Sequence, residues 1–96
     1  MLRHIVLLTF KPEASAEERQ AVRLAIEGLR DSVPEVRSLV CGANVGSGPN
    51  HRDFAIVVDV DDMAAFRRYL ASAPHQAYVN GPARAVASIA AIQHEW

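Results

Sequence analysis

The sequence predicts an α+β fold in which a single four-stranded antiparallel sheet carries its helices on one face. Three observations predict it: strand-like and helix-like segments alternate along the chain, a capping box opens the first helix, and the strand segments are apolar on both faces. The chain has 96 residues, half of them apolar and 22% charged, with a formal net charge of -1. One small soluble domain spanning residues 1–96 is expected, with a modest core that oligomerisation would reinforce. The near-zero charge and the lack of any Lys or Arg run remove the electrostatic footprint of a nucleic-acid or anionic-membrane binder, so neither partner is expected. One cysteine cannot form an internal disulfide, and the apolar run Ile5–Leu8 is too short for a signal peptide or a membrane span. A reducing cytoplasm is the expected compartment.

Arg3 to Phe10 is rich in strand formers, with His4, Val6, Leu8 and Phe10 on one face and Ile5, Leu7 and Thr9 on the other. Lys11-Pro12 closes that strand. Ser15-Ala-Glu-Glu18 has capping-box spacing, so a helix should start at Ser15. Its apolar stripe is Val22, Ala25, Ile26, Leu29 and Val33, and Pro34 ends it. Val36 to Asn44 reads as a second strand. Gly46-Ser-Gly-Pro-Asn-His51 is a loop, and Phe54 to Val60 is a third strand. Asp61 or Asp62 can cap a second helix that packs Met63, Phe66, Tyr69 and Leu70 on one face. A break at Pro74, a short helical turn from His75 to Asn80, punctuation at Gly81-Pro82 and a last strand over Ala87 to Trp96 complete the chain.

The resulting order, β-α-β-β-α-β, is the split-βαβ or ferredoxin-like arrangement. With both helices on one face, apolar residues on the opposite face would stand exposed unless a second subunit covered them. A homodimer joined through the sheet face is therefore expected from patterning alone.

The segment Tyr69-Leu-Ala-Ser-Ala-Pro-His75-Gln-Ala-Tyr78 is the strongest candidate for chemistry, because a proline break leaves a histidine beside two tyrosines in apolar surroundings. Together with Leu2-Arg-His4-Ile-Val-Leu-Leu-Thr-Phe10-Lys-Pro, the capped helix, and Asp53-Phe-Ala-Ile-Val-Val-Asp-Val, it resembles the stress-responsive α/β-barrel family, the dimeric α/β-barrel or Dabb domain, over essentially the whole chain. The resemblance implies a ferredoxin-like protomer whose sheets form a barrel across a dimer interface. Members range from stress-associated proteins to a plant polyketide cyclase, olivetolic acid cyclase. The cyclase's catalytic tyrosine and histidine are separated by the interval between Tyr69 and His75, and His4 matches a pocket histidine near its N-terminus. The chain departs from the cyclase around Phe54 and Ala55, where no histidine stands, and in reading Ser-Ala-Pro before His75.

These residues suit a cofactor-free acid–base reaction on a small carbonyl or aromatic compound, of cyclase or lyase type. His75 would act as the base and return the proton, Tyr69 would donate a hydrogen bond to the developing oxyanion, and His4 would orient a polar group. Val6, Leu8, Ile26, Phe66, Leu70 and Tyr78 would enclose an apolar or aromatic ligand. No metal or organic cofactor is called for, since the four histidines lack metal-motif spacing.

Each residue also has a plainer reading. His75 can serve as a helix-terminal residue bonding a free backbone carbonyl, Tyr69 as core packing, His4 as a satisfied strand histidine, and Tyr78 as cover for a helix end. His51 belongs to a solvated loop and Cys41 reads as an inert strand thiol. His94-Glu95-Trp96 suits dimer contacts, and Arg67-Arg68 forms a solvated helix face that could attract an acidic substrate to a pocket mouth. A non-catalytic stress-response or ligand-binding dimer is thus the alternative function, and a cofactor-free monooxygenase of the related dimeric barrels is a further one.

Overall fold

The computed structural model describes residues 1–96. Its elements run β1 (Leu2–Phe10), α1 (Ala16–Ser32), β2 (Ser38–Ala43), β3 (Phe54–Val60), α2 (Met63–Ala71), α3 (Ala73–Val79), a 3-10 turn (Pro82–Ala85) and β4 (Val86–Glu95). The strands form one sheet in the order β2-β3-β1-β4, with every neighbouring pair antiparallel. This is the ferredoxin-like topology.

Ser15 caps α1: its hydroxyl accepts from the Glu18 N–H at 3.0 Å, and the Glu18 carboxylate accepts from the Ser15 N–H at 2.9 Å. The apolar stripe buries Val22, Ile26 and Leu29 against the sheet, with Val33 as the buried C-cap. Arg30 then ties the helix to the edge of the sheet, donating from Nε and Nη2 to the Leu39 carbonyl at 3.0 and 2.8 Å.

Asp62 is the cap of α2, its carboxylate accepting from the Ala65 N–H at 2.8 Å. The face that α2 buries is Ala65, Phe66 and Tyr69. Met63, expected on that face, is 41% exposed, because the first residue of the helix lies off the end of the sheet. The break between the helices falls at Ser72 rather than at Pro74. Proline lacks an N–H, and in a continuous helix its ring would meet the carbonyl four residues back; it is tolerated in a first turn, where α3 places it. Ser72 is therefore extended, with ψ 148°, and serves as C-cap of α2 and N-cap of α3 at once. Its hydroxyl donates to the Tyr69 carbonyl at 2.7 Å and accepts from the His75 N–H at 3.3 Å.

The two sheet faces differ as the alternation requires. Leu2, Val6, Leu8 and Phe10 of β1 join Leu39 of β2, and Phe54, Ile56, Val58 and Val60 of β3, in the core beneath the helices. On the other face, cross-strand rows run Val40–Val57–Ile5–Ile92 and Gly42–Ala55–Leu7–Ala90. Within the protomer that face is open, with Val40 61% and Ile92 58% exposed. One edge of it is polar: Arg3 forms a two-pronged pair with Asp59 at 2.8 and 3.0 Å, Ser38 donates to the same carboxylate at 3.0 Å, and the Trp96 ring lies 4.8 Å from the Arg3 guanidinium carbon. The Arg3 hydrogen bonds hold the Asp59 carboxyl below the usual carboxylate range. No helix is long and apolar enough to cross a membrane.

Leu8, fully buried at 0% exposure, sits at the centre of this core. Leu8→Ala is expected to cost about 2–5 kcal/mol of stability, read as a lowered urea midpoint at unchanged slope; a loss under about 1 kcal/mol would place Leu8 outside the core.

Candidate functional site

The helices do not cover the whole face of the sheet. Between α1, α2, α3 and the β1–β4 side of the sheet lies a cleft of about 640 Å³, lined by 17 residues of which 13 are hydrophobic and none is Asp, Glu, Lys or Arg. It lies over β4, an edge strand that no helix covers; Ile89, on that strand's helix-side face, lines the cleft yet is 65% exposed.

His4, Tyr69 and His75, far apart in the chain, all line this cleft, as do Val6, Ile26, Phe66, Leu70 and Tyr78. Leu8 does not. Expected in the lining, it lies one step beyond Val6 on the same face of β1, fully buried within the core. Arg67 and Arg68 are also absent from the cleft; Arg68 points away to pair with Glu35 at 3.1 Å, so the pair offers no charge at the mouth.

The aromatic groups form a chain along the wall. The His4 and Phe66 rings are 4.7 Å apart between centroids, Phe66 and Tyr69 are 6.3 Å apart, Tyr69 and His75 are 4.9 Å apart, and His75 and Tyr78 are 6.1 Å apart. The Ser72 double cap makes the last two contacts possible, since it turns α3 back so that its first-turn histidine meets the last turn of α2. His75 therefore begins a helix rather than ending one. Its ring caps no carbonyl: Leu70, five residues back, accepts instead from Gln76 Nε2 at 2.8 Å.

Burial sets the protonation states. It holds His75 below the ordinary histidine value, with the neighbouring Leu70 carbonyl opposing the shift. His4 is likewise held low, by burial first and by proximity to His75 second. Both imidazoles are thus neutral at pH 7. Burial pushes the Tyr69 hydroxyl up to about 12, with Tyr78 adding to the shift, and it also raises Tyr78. Tyr69 is accordingly a hydrogen-bond donor across the physiological range.

His75 Nδ1 is buried without a partner. The Nε2 atoms of both histidines and the two tyrosine hydroxyls also take no protein partner, but they are not sealed off, and their residues line the cleft. His4 Nδ1 is engaged by Gln93 Nε2 at 2.8 Å. Gln93 was not among the residues the sequence singled out. It lies 89 positions from His4 and reaches it only because β4 pairs with β1 in the register His4↔Gln93.

A wall of neutral acid–base groups in an uncharged apolar cleft, on this topology, can be compared with known proteins. The family model for the stress responsive A/B barrel domain matches residues 2–95. The chain belongs to the stress-responsive α/β-barrel family. An uncharacterised protein of Streptomyces coelicolor is 33% identical over 81 residues, covering 82% of this family member and 84% of that protein. A dimeric ferredoxin-like protein of unknown function from Thermobifida fusca superposes with a TM-score of 0.87 at 28% identity, over 99% of this chain and 90% of that one. The hydroxynitrile lyase of Passiflora edulis superposes with a TM-score of 0.84 at 20% identity, over 97% and 90% of the two chains. Dimeric ferredoxin-like structures are thus the surroundings of this family member.

Because His4 and His75 bind protons less readily folded than unfolded, the unfolded chain holds more protons between their depressed values and about 6.5. Stability is therefore full above about pH 6.5 and falls as pH drops through that window. Denaturant unfolding at a series of pH values should show this decline, and the double substitution of His4→Gln with His75→Gln should flatten it.

Proposed function

We propose that this protein is a homodimeric, cofactor-free acid–base enzyme acting on a small uncharged carbonyl or aromatic compound, in a reaction of cyclase or lyase type. The observation that supports this reading most is the convergence of His4, Tyr69 and His75 on the wall of a cleft that holds no formally charged side chain. Each residue then has a role. His75 Nε2 takes a proton from the carbon next to a carbonyl of the substrate. The electron pair of that C–H bond forms the new C–C bond to a second carbonyl of the same molecule, whose C=O π pair moves onto its oxygen, the atom that His75 later reprotonates. The Tyr69 hydroxyl, un-ionised and without a protein partner, donates to the oxygen on which charge develops. The imidazolium of His75 afterwards returns the proton, so nothing is consumed beyond the substrate. Val6, Ile26, Phe66, Leu70 and Tyr78 enclose the carbon skeleton.

The same features support an uncharged substrate. A buried carboxylate or phosphate would find no cation in the lining and would lose its hydration, whereas a neutral ring with one carbonyl would keep its polar atom against the histidine–tyrosine wall. The dimeric ferredoxin-like relatives favour a homodimer for this chain, and the apolar rows of the open sheet face are the surface we assign to it.

Acetophenone, as a neutral aromatic ketone, is expected to bind at least about tenfold more tightly than benzoate of similar size when each is titrated against the labelled protein, because the anion is desolvated without compensation. Equal affinity would overturn the uncharged-ligand reading. In a turnover screen of neutral carbonyl compounds and cyanohydrins, His75→Ala and Tyr69→Phe should each lower the rate by about 100-fold or more. The rate should rise with pH through a midpoint below the ordinary histidine value of about 6.5, because His75 must be unprotonated to act. Turnover unaffected by either substitution would sink the catalytic reading and leave a ligand-binding dimer. Val57→Asp, at the centre of the open face, should convert a dimer to a monomer in sedimentation.

A further inference from the structure

Gln93 of β4 lines the candidate site and is the residue of that strand whose side chain reaches His4. Its amide nitrogen lies 2.8 Å from His4 Nδ1. An amide nitrogen carries hydrogens and no available lone pair, so it can only donate, and the atom it meets must accept. In a neutral imidazole an accepting Nδ1 requires the hydrogen to sit on Nε2. Burial and the neighbouring His75 keep His4 neutral, so its tautomer is what decides how it meets a ligand.

His75 is constrained in the opposite sense. Its Nδ1 is sealed by protein, so any proton exchanged with the cleft must pass through Nε2. The reaction proposed above requires of His75 the form with its hydrogen on Nδ1, which leaves the Nε2 lone pair facing the cleft.

We infer that Gln93 is a positioning residue that fixes His4 as the Nε2–H tautomer, so that His4 presents a hydrogen-bond donor to the cleft while His75 presents a lone pair. The two histidines are then not interchangeable: one can polarise or hold a carbonyl oxygen, and the other can take a proton. The pairing depends on the β1–β4 register. A one-residue slip of β4 would carry Gln93 to the other face of the sheet and leave Ile92 or His94 opposite His4. For its catalytic consequence this inference rests on the reaction proposed above, but the tautomer itself is open to measurement without any substrate.

The test is the imidazole nitrogen spectrum of the ¹⁵N-labelled full chain, recorded above about pH 7 so that both histidines are neutral. In the wild type, His4 Nδ1 should resonate as an unprotonated ring nitrogen and Nε2 as a protonated one. Gln93→Glu replaces the donor with an acceptor of the same length, so Nδ1 should become protonated. Gln93→Met keeps the length and removes the hydrogen bond, so the ratio of Nε2–H to Nδ1–H forms should fall by about twofold or more. Unchanged His75 resonances and backbone amide shifts would show that the fold is intact in both variants. A protonated Nδ1 in the wild type, or a Gln93→Glu variant with its tautomer unaltered, overturns the inference. If Gln93→Glu does not fold, the wild-type and Gln93→Met spectra decide it alone. Absence of turnover on every neutral carbonyl would count against the proposed reaction and leave the tautomer result standing. Intact turnover with a protonated Nδ1 would do the reverse.

Discussion

The structure depends on β1 being hydrogen-bonded along both edges, to β3 on one side and β4 on the other. A strand in that position has no edge to expose, so all its information lies in its two faces, and side chains alternate between them with a period of two. One face brings Leu2, Val6, Leu8 and Phe10 to the core and His4 to the cleft. The other brings Ile5 and Leu7 to the open side and Arg3 to its polar margin, where it pairs with Asp59. A shift of one residue would exchange these sets and would remove core, site and open apolar face together.

The second determinant is the pair Ser72 and Pro74. Had α2 continued, His75 would have followed Tyr69 at a spacing of six residues on a straight helix, where side chains at that interval do not face one another. The proline denies continuity, the serine satisfies backbone groups on both sides of the break, and the chain folds back until the two rings lie 4.9 Å apart. A local conformational constraint of the backbone thus assembles a pair of acid–base side chains. It also buries their polar atoms enough to hold both histidines neutral and the tyrosine un-ionised.

The cleft exists because the helix layer is narrower than the sheet. α1 and α2 spend their apolar faces on β1, β2 and β3, and β4, paired only to β1, is left uncovered. This explains why the large side chain of Ile89 is exposed while belonging to the same face as the core. The same uncovered strand supplies Gln93, so the mouth of the cleft and the partner of His4 come from one element.

Much of this was legible in the sequence. Capping-box spacing located the start of α1, the apolar run Phe54–Val60 delimited β3, and apolar residues on both faces of the strands called for a covered sheet face. Tyr69, His75 and His4 were identified by residue type, by the proline break and by family resemblance, and the structure brings all three to one cavity. Leu8 and Met63 were misassigned because periodicity says which face a side chain occupies and not how far along that face the covering helix extends. The exact position of the helix break and the role of Gln93 were not legible either. The first turned on whether Pro74 ends one helix or begins the next, which depends on the packing of α3, and the second on a strand register joining residues 89 positions apart. The sequence by itself determined the elements, their faces and the candidate chemical groups, because these follow from local propensity and alternation. Only the tertiary structure decided which groups meet, since long-range pairing and the width of the helix layer are properties of the assembled chain.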